Sequence, residues 1–206
     1  MYGNSHDNSV TPGQGRTQAF DTAIDSDYQS QANDHERNRQ RIPSAQRIAV
    51  LIDSETLEIT VENMFASHDS DVKYMYYPEW RSIVADVSRY RQIVRMVYYK
   101  KQSRPVNYKF EKMWTEELGG EVRQPEKSVD PYLIIDAVTL AEKVDAIVLL
   151  AGDKDYLPLV WYLKSRGCKV EVANFRESTA HILLDHADDF RELSGDRHVL
   201  RVAAKY

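Results

Sequence analysis

The sequence predicts an α/β fold in which a mainly parallel sheet lies between two layers of helices. Three observations indicate this class. Short apolar runs, such as RIAVLID at 47–53 and AIVLLAG at 146–152, are typical of strands buried on both faces. Segments with the apolar spacing of helices separate these runs, and turn residues end several of those segments. Because parallel strands need crossover helices, this alternation favours a three-layer domain with right-handed crossovers.

The predicted elements follow one another from Arg47 to Ser194. The predicted strands cover residues 47–53, 92–101, 121–126, 146–152 and 169–175. The predicted helices cover residues 78–88, 107–118, 130–143, 155–166 and 178–188. Three residues mark helix ends: Asp130 as an N-cap before Pro131, Gly167 as a stop, and Ser178 as a start. Residues 54–77 give no clear pattern, and DFRELS at 189–194 closes the domain.

Composition sets limits on the class of protein. The 206 residues are enough for one domain with a substantial core. Residues 1–45 are polar with few aliphatic side chains, so we expect a disordered or partner-ordered arm before a domain at 46–206. The single cysteine, Cys168, excludes an intrachain disulfide and a thiolate metal cluster. No run approaches the roughly 18 apolar residues of a membrane span, and no signal peptide is evident. A cytoplasmic protein is expected.

Acidic side chains stand where the predicted strands end. Asp53 closes the first strand, Asp153 and Asp155 follow the strand at 146–152, and Asp130 opens a helix after the strand at 121–126. In a parallel sheet, functional groups gather at the carboxyl ends of the strands. Converging carboxylates repel one another unless a cation or a proton compensates them. Oxygen ligands of this kind suit Mg²⁺ or Mn²⁺.

Each of these acids also has a purely structural explanation. Asp130 and Asp153 are suitable helix N-caps, and Asp155 is a first-turn acid that the helix dipole favours. For any one residue, capping explains the sequence as well as a metal site does. The coincidence of four acids at strand ends favours the metal site.

Three segments carry a family resemblance. They are LIDSETL, SVDPYLIIDAVTLA and DAIVLLAGDKDYLPLVWYLKSRGCKVEVANF, followed by STAHILLDHADDFREL. Together they resemble the NYN domain, in the LabA-like branch of the PIN-like nuclease superfamily, over roughly residues 47–194. The resemblance implies a PIN-like fold and metal-dependent RNA cleavage. It also implies that the catalytic and metal-binding acids are Asp53, Asp130, Asp153 and Asp155.

The sequence departs from the family pattern after the first strand. The family commonly has glycine and asparagine where this chain has Ser54 and Thr56. Thr56 can still donate a hydrogen bond to a phosphate or to a metal-bound water, although it reaches less far. Asp136 lies about 120° around the predicted helix from Asp130. We therefore expect Ser54, Thr56 and Asp136 to support the site, or Asp136 to form a salt bridge, without binding metal directly.

A basic segment could hold the phosphates of RNA. Residues 89–112 contain eight Lys or Arg against one acid, with aromatic side chains interleaved. Lys100 and Lys101 end a predicted strand and Arg104 follows it, so the three are expected at the same edge as the acids. Lys154 lies between Asp153 and Asp155. Cations pair with phosphates, and unpaired bases stack on aromatic rings. The alternative is that the aromatics are core and the charges are only solvated.

Two functions from different classes therefore remain open. The first is an Mg²⁺- or Mn²⁺-dependent endoribonuclease that uses the four acids. The second is an RNA-binding or scaffold module with weak catalysis, which could recruit a protein partner or a second copy of the chain through the N-terminal arm. A Toprim-like phosphotransfer domain also uses Asp-x-Asp after a strand, but it needs a glutamate where this chain has Asp53. No P-loop or dinucleotide fingerprint is present.

Overall fold

Six parallel strands form the central sheet of the computed structural model, which describes residues 46–66 and 74–203. The order across the sheet is β4-β3-β1-β5-β6-β7, and every neighbouring pair is parallel. The eight strands in chain order are β1 Arg47–Asp53, β2 Tyr74–Pro78, β3 Gln92–Tyr99, β4 Glu121–Arg123, β5 Ala146–Leu150, β6 Lys169–Asn174, β7 Asp189–Glu192 and β8 Val199–Ala203. The predicted α/β class with a mainly parallel sheet is confirmed.

Helices cover both faces of this sheet. The α-helices are α1 Ser54–Ala66, α2 Trp80–Ser88, α3 Tyr108–Lys112, α4 Asp130–Leu140, α5 Leu157–Ser165, α6 His181–His186 and α7 Gly195–His198. A π-helical segment, Met113–Glu117, continues α3, and 3₁₀ turns occupy Lys154–Tyr156 and Arg176–Ser178. Buried side chains of α4, α5 and α6 share a core with one face of the sheet, while those of α1 and α2 share a core with the other.

The composition of β1 explains why it lies at the centre of the sheet. Successive side chains of a strand point to opposite faces, so a strand between two cores needs apolar residues throughout. Ala49 and Leu51 enter the core beneath α4 and α5, whereas Ile48, Val50 and Ile52 enter the core beneath α1 and α2. The first polar side chain after the first residue of β1 is its last residue, Asp53.

Two parts of the structure differ from the sequence prediction. Residues 54–77 gave no clear pattern, yet they contain α1 and β2, and β2 pairs with β8 in a separate antiparallel ribbon. The helix predicted to open at Ser178 begins at His181 instead. Ser178 lies in a 3₁₀ turn, where its hydroxyl donates to the carbonyl of Phe175 at 3.1 Å, so its hydrogen-bonding capacity is used within the turn.

The described residues all belong to one compact unit. The arm predicted at residues 1–45 lies outside them. Within residues 46–66 and 74–203, no helix has the length and apolar character needed to cross a membrane.

Candidate active site

The strand ends define two edges of the sheet. The carboxyl edge is where the strands finish, at Asp53, Tyr99, Arg123, Leu150 and Asn174; the amino edge is where they start, at Arg47, Gln92, Ala146, Lys169 and Asp189. Asp53 of β1 is paired in register with Tyr99 of β3, and Ile52 with Leu150 of β5. Asp53 therefore lies at the middle of the carboxyl edge.

The carboxylate of Asp53 is buried and only half satisfied. Asp53 is 5% exposed. Its Oδ2 atom accepts hydrogen bonds from the Thr56 hydroxyl at 3.0 Å and from the Tyr156 hydroxyl at 3.2 Å. The Oδ1 atom is buried and has no hydrogen-bond partner within the residues that the structure describes. Burial raises the pKa of Asp53, the hydrogen bonds from Thr56 and Tyr156 oppose this, and the charge of Asp130 adds to it. A buried acceptor without a partner costs stability, so this oxygen is suited to a ligand.

Tyr156 links two of the predicted acids. Its hydroxyl lies 2.9 Å from Oδ1 of Asp130 as well as 3.2 Å from Oδ2 of Asp53. Burial, followed by the charges of the two carboxylates, raises the pKa of Tyr156, so its hydroxyl keeps its proton. One hydroxyl has a single proton to donate, so it cannot fully satisfy both acids at once. The two carboxylates are therefore close together and short of positive charge.

Asp130 does not have the capping role that the sequence allowed. Val129 occupies the N-cap position of α4, and Asp130 is the first helical residue. Its Oδ2 atom accepts from the Ser128 hydroxyl at 2.8 Å, while Oδ1 accepts from Tyr156. The N-cap prediction was wrong by one residue, because the turn at Ser128 positions the Asp130 carboxylate toward Tyr156 instead of toward the helix amides.

Asp153 and Asp155 lie on the turn that follows β5. Oδ1 of Asp153 accepts a hydrogen bond from the backbone amide of Asp155 at 3.0 Å and so caps the 3₁₀ turn. This is the capping role that the sequence allowed for Asp153. Asp153, Lys154 and Asp155 are all exposed. The turn is anchored by Gly152, because a Cβ atom there would come within 2.2 Å of the Ser178 carbonyl oxygen. Only glycine allows this close approach.

The sequence analysis did not identify Tyr156 as a site residue. The available signal was its place in GDKDY, where a tyrosine that is 2% exposed must find a partner for its hydroxyl. Thr56 was predicted to support the site, and the structure places its hydroxyl on Asp53. Ser54 is fully buried at the start of α1. Asp136 accepts from the Tyr99 hydroxyl and forms an ion pair with Arg123 at 2.5 Å.

Two of the predicted RNA-binding cations already have acidic partners. Lys100 Nζ lies 2.6 Å from Glu58, and Lys101 Nζ lies 2.6 Å from Glu55, both on α1. The hydrogen bond and charge of Glu55 raise the pKa of Lys101, and the more distant charges of Asp130 and Asp53 contribute. Lys101 therefore supplies positive charge to the acid pair.

The remaining predicted cations, Arg104 and Lys154, are exposed at the carboxyl edge. The basic segment is not one continuous surface, however. Arg89 pairs with Asp189, and Arg91 pairs with Glu171, both at the amino edge. Only the part of the segment from Lys100 onward lies near the acids.

The donor set fits a hard divalent cation that keeps several water ligands. Mg²⁺ is commonly bound by one or two carboxylates together with waters. Asp53 and Asp130 supply two carboxylates, and the unpartnered Oδ1 of Asp53 supplies a free acceptor. Among residues 46–66 and 74–203, no group of three or more His, Cys, Asp or Glu side chains is arranged to hold a metal ion. Asp153 and Asp155 are therefore not brought into one ligand sphere with the other two acids.

The fold is that of a PIN-like nuclease domain. The chain belongs to the NYN domain family, whose match covers residues 47–194. A solved structure of VPA0982, a protein of unknown function from Vibrio parahaemolyticus, is similar in fold. It has 21% sequence identity and a TM-score of 0.62, over 74% of this chain and 96% of that chain. No curated protein matches this chain.

Proposed function

We propose that this NYN domain is an Mg²⁺- or Mn²⁺-dependent endoribonuclease that acts at the carboxyl edge. One observation carries the proposal: the buried Asp53 has an oxygen without a partner in residues 46–66 and 74–203, and the Tyr156 hydroxyl holds a second carboxylate, Asp130, beside it. Such an arrangement is costly for folding alone, and a buried acid whose pKa is raised by burial and a nearby charge is typical of functional sites. Membership of the NYN family supports nuclease chemistry.

In this proposal Asp53 and Asp130 hold the cation, and Asp153 and Asp155, on the turn after β5, orient the attack on phosphorus. The chemistry that the cation supplies when bound is activation of a water and stabilisation of charge on the phosphate oxygens. Thr56 and Tyr156 fix the orientation of Asp53 through hydrogen bonds of 3.0 and 3.2 Å. Asp136 supports the ends of β3 and β4 through Tyr99 and Arg123, and Ser54 packs at the start of α1.

The RNA backbone is proposed to cross the carboxyl edge. Within the part of the chain that the structure describes, Arg104 and Lys154 have no ion-pair partner, so they are available to phosphates. Lys100 and Lys101 are held against α1 by Glu58 and Glu55, and they reach phosphates by exchanging those partners. The loss of each lysine–glutamate ion pair offsets part of the binding free energy that the new contact with a phosphate supplies.

A second candidate is RNA binding without efficient cleavage. Two observations favour it: no three-acid metal group exists within residues 46–66 and 74–203, and glutamates neutralise two of the four predicted cations. In this case the carboxyl edge would bind RNA but would not hydrolyse it. A protein partner or a second copy recruited by residues 1–45 belongs to this candidate.

Two finer assignments belong to the proposal. The LabA-like branch of the superfamily is supported by the GDKDYLPLV block and the STAHILLDHADDF segment. A cytoplasmic location is supported by the single cysteine, Cys168, which is buried and unpaired.

The deciding experiment is single-turnover cleavage of labelled single-stranded RNA by the full chain, with Mn²⁺ and with a chelator. We expect cleavage with Mn²⁺ only, and a loss of about a hundredfold or more in Asp53→Asn, above the range for supporting residues around a metal. The matched control is Asp189→Asn, an exposed acid at the amino edge that should cleave at the normal rate. RNA that is bound by the wild type but stays intact would favour the second candidate.

A further inference from the structure

A cavity of about 580 Å³ lies beside the candidate active site, between α1, the end of β3 and the ribbon of β2 and β8. Its size is in the usual range for a small-molecule site. Its walls are unusually aromatic. Six aromatic residues contribute to its lining, of which Tyr74 and Tyr77 are exposed: Tyr74, Tyr76, Tyr77, Trp80, Tyr98 and Phe110.

One end of the cavity lies at the carboxyl edge, at the end of β3. Lys100, which lines it, directly follows Tyr99, and Tyr99 is paired in register with Asp53. Glu58, on the same wall, lies on α1 two residues after Thr56, which contacts Asp53. Neighbouring parallel strands are about 4.8 Å apart, and the strand whose end lines the cavity is the direct neighbour of the strand that carries Asp53.

The charges of the cavity favour an uncharged ring. Three glutamates line it, Glu58, Glu62 and Glu79, against two cations, Lys100 and Arg81. Lys100 pairs with Glu58 at 2.6 Å. Arg81 pairs with Glu117, which is outside the cavity. The carboxylates would repel a phosphate and accept hydrogen bonds from an amino group.

Two of the three glutamates already have partners. Glu58 accepts from the Tyr98 hydroxyl in addition to Lys100, and Glu79 accepts from the Ser82 amide at 2.6 Å as the N-cap of α2. Glu62 is exposed on α1. It is therefore the lining carboxylate best placed to take a new donor.

We propose that this cavity binds an unpaired nucleobase that carries an exocyclic amino group, next to the phosphate held at the carboxyl edge. The inference rests on the proposed action on RNA, and it adds a preference within single-stranded substrates. Unpaired bases stack on aromatic side chains, and a glutamate accepts from the amino group of cytosine. Adenine offers a similar donor, whereas uracil has no amino group. The cavity thus separates base recognition from phosphate binding at Lys101 and Arg104.

The test measures binding of labelled oligoadenylate, oligocytidylate and oligouridylate to the full chain in chelator, which prevents metal-dependent cleavage. The wild type should bind the first two more tightly than the third. Tyr77→Ala, at a partly exposed position of the wall, should weaken binding of oligoadenylate about tenfold, as expected for loss of one stacked base. Tyr90→Ala is the matched control, because Tyr90 is 96% exposed and precedes β3 at the amino edge. It should bind like the wild type.

A second variant keeps the test valid if Tyr77→Ala fails to fold. Glu62→Ala, at an exposed helical position, should lower the ratio of oligoadenylate to oligouridylate affinity about tenfold. The ratio cancels the general gain in affinity from removing a negative charge. Glu142→Ala, an exposed acid near the end of α4, should leave the ratio unchanged.

The outcomes separate this inference from the proposed nuclease function. If Tyr77→Ala and Glu62→Ala bind and cleave RNA as the wild type does, the cavity inference is overturned while the nuclease stands. If the wild type binds with these dependences but does not cleave, the inference stands without the nuclease. If no oligonucleotide binds, or if an arginine-rich peptide binds in a Tyr77-dependent manner and RNA does not, the inference is overturned.

Discussion

The two edges of the central sheet differ in how completely a buried charged side chain is paired. At the amino edge, Arg91 pairs with Glu171 at 2.6 Å, and the two side chains are only 5% and 13% exposed. The same guanidinium donates to the Val87 carbonyl at 2.9 Å, so its charge and its hydrogen bonds are both satisfied. At the carboxyl edge, the buried Asp53 lies near another acid, Asp130, and one of its oxygens has no partner among the described residues.

This contrast separates a structural role from a functional one. Buried charges that serve the fold are paired, because an unpaired charge in the interior is costly. The carboxyl edge breaks this rule at the position where parallel sheets place their ligands. The difference indicates that the amino edge stabilises the domain, and it supports the proposal that the carboxyl edge binds a ligand at a cost in stability.

The largest expected effect on stability comes from breaking the ion pair of Arg91 and Glu171 at the amino edge. Arg91→Met should lower the free energy of unfolding by about 3–5 kcal/mol, because it leaves the buried Glu171 without a compensating charge. Urea denaturation measures the change. The matched control is Arg89→Met, which removes an exposed pair with Asp189 and should cost at most about 1 kcal/mol. Equal losses in the two variants would contradict the assignment of a structural role to the buried pair.

A smaller effect of opposite sign is expected at the carboxyl edge. Asp53→Asn should raise the stability of the metal-free protein at neutral pH by about 1–3 kcal/mol, because the amide removes a buried negative charge that lies near the charge of Asp130. Burial raises the folded pKa of Asp53 above its ordinary value of 3.8. A raised folded pKa means that the wild type loses stability as the pH rises from that value through the folded pKa. The stability advantage of Asp53→Asn over the wild type should therefore grow as the pH rises from 3.8 through the folded pKa, and it should vanish at acid pH.

Urea denaturation across this pH range, without metal, measures the advantage. Added Mn²⁺ should stabilise the wild type more than Asp53→Asn, since a ligand stabilises the state that binds it. Asp189→Asn serves as the control, because it removes an exposed acid that already has a cationic partner. A pH-independent difference between Asp53→Asn and the wild type would show that the carboxylate of Asp53 is not under electrostatic stress.

The contrast between the edges was only half visible in the sequence. The apolar run of β1 and the strand-end position of Asp53 follow from local pattern, and both predict a carboxyl-edge site. Tyr156 could not be assigned, because its hydroxyl reaches Asp53 across 103 positions of the chain, and this contact depends on the packing of the turn after β5. The pairs of Lys100 and Lys101 with glutamates of α1 were missed for the same reason. Helix α1 itself had no clear pattern.

The N-cap rule also predicted the start of α4 one residue too late. Asp130 before Pro131 satisfies the N-cap rule, but the structure gives that position to Val129. The ribbon of β2 and β8 joins residues more than 120 positions apart, such as Tyr76 and Arg201, and no local pattern specifies it. Pairing over such separations is decided by tertiary packing.

An intermediate effect should come from the hydroxyl that joins the two acids. Tyr156→Phe keeps the ring and removes the donor to Asp53 and Asp130, so we expect a loss of about 1 kcal/mol in stability. A purely structural hydroxyl would do nothing more. A positioning role also predicts that Mn²⁺ affinity, measured by calorimetry, falls about tenfold. Tyr162→Phe, at an exposed position of α5, is the control and should change neither quantity.

The smallest effect on stability should come from the exposed cations, and it sharpens the comparison of the edges for RNA. Arg104→Gln and Lys154→Gln should each change the unfolding free energy by less than about 0.5 kcal/mol. Each should lower the salt dependence of binding to single-stranded RNA by about 0.7 in slope, if each cation contacts one phosphate. Lys169→Gln removes an equally exposed cation at the amino edge and should leave the slope unchanged. Net charge falls by the same amount in all three variants, so a slope that drops only at the carboxyl edge must report position and not total charge. Equal decreases of the slope in all three variants would mean that the surface as a whole attracts RNA. That result would contradict the proposal that the RNA backbone binds at the carboxyl edge.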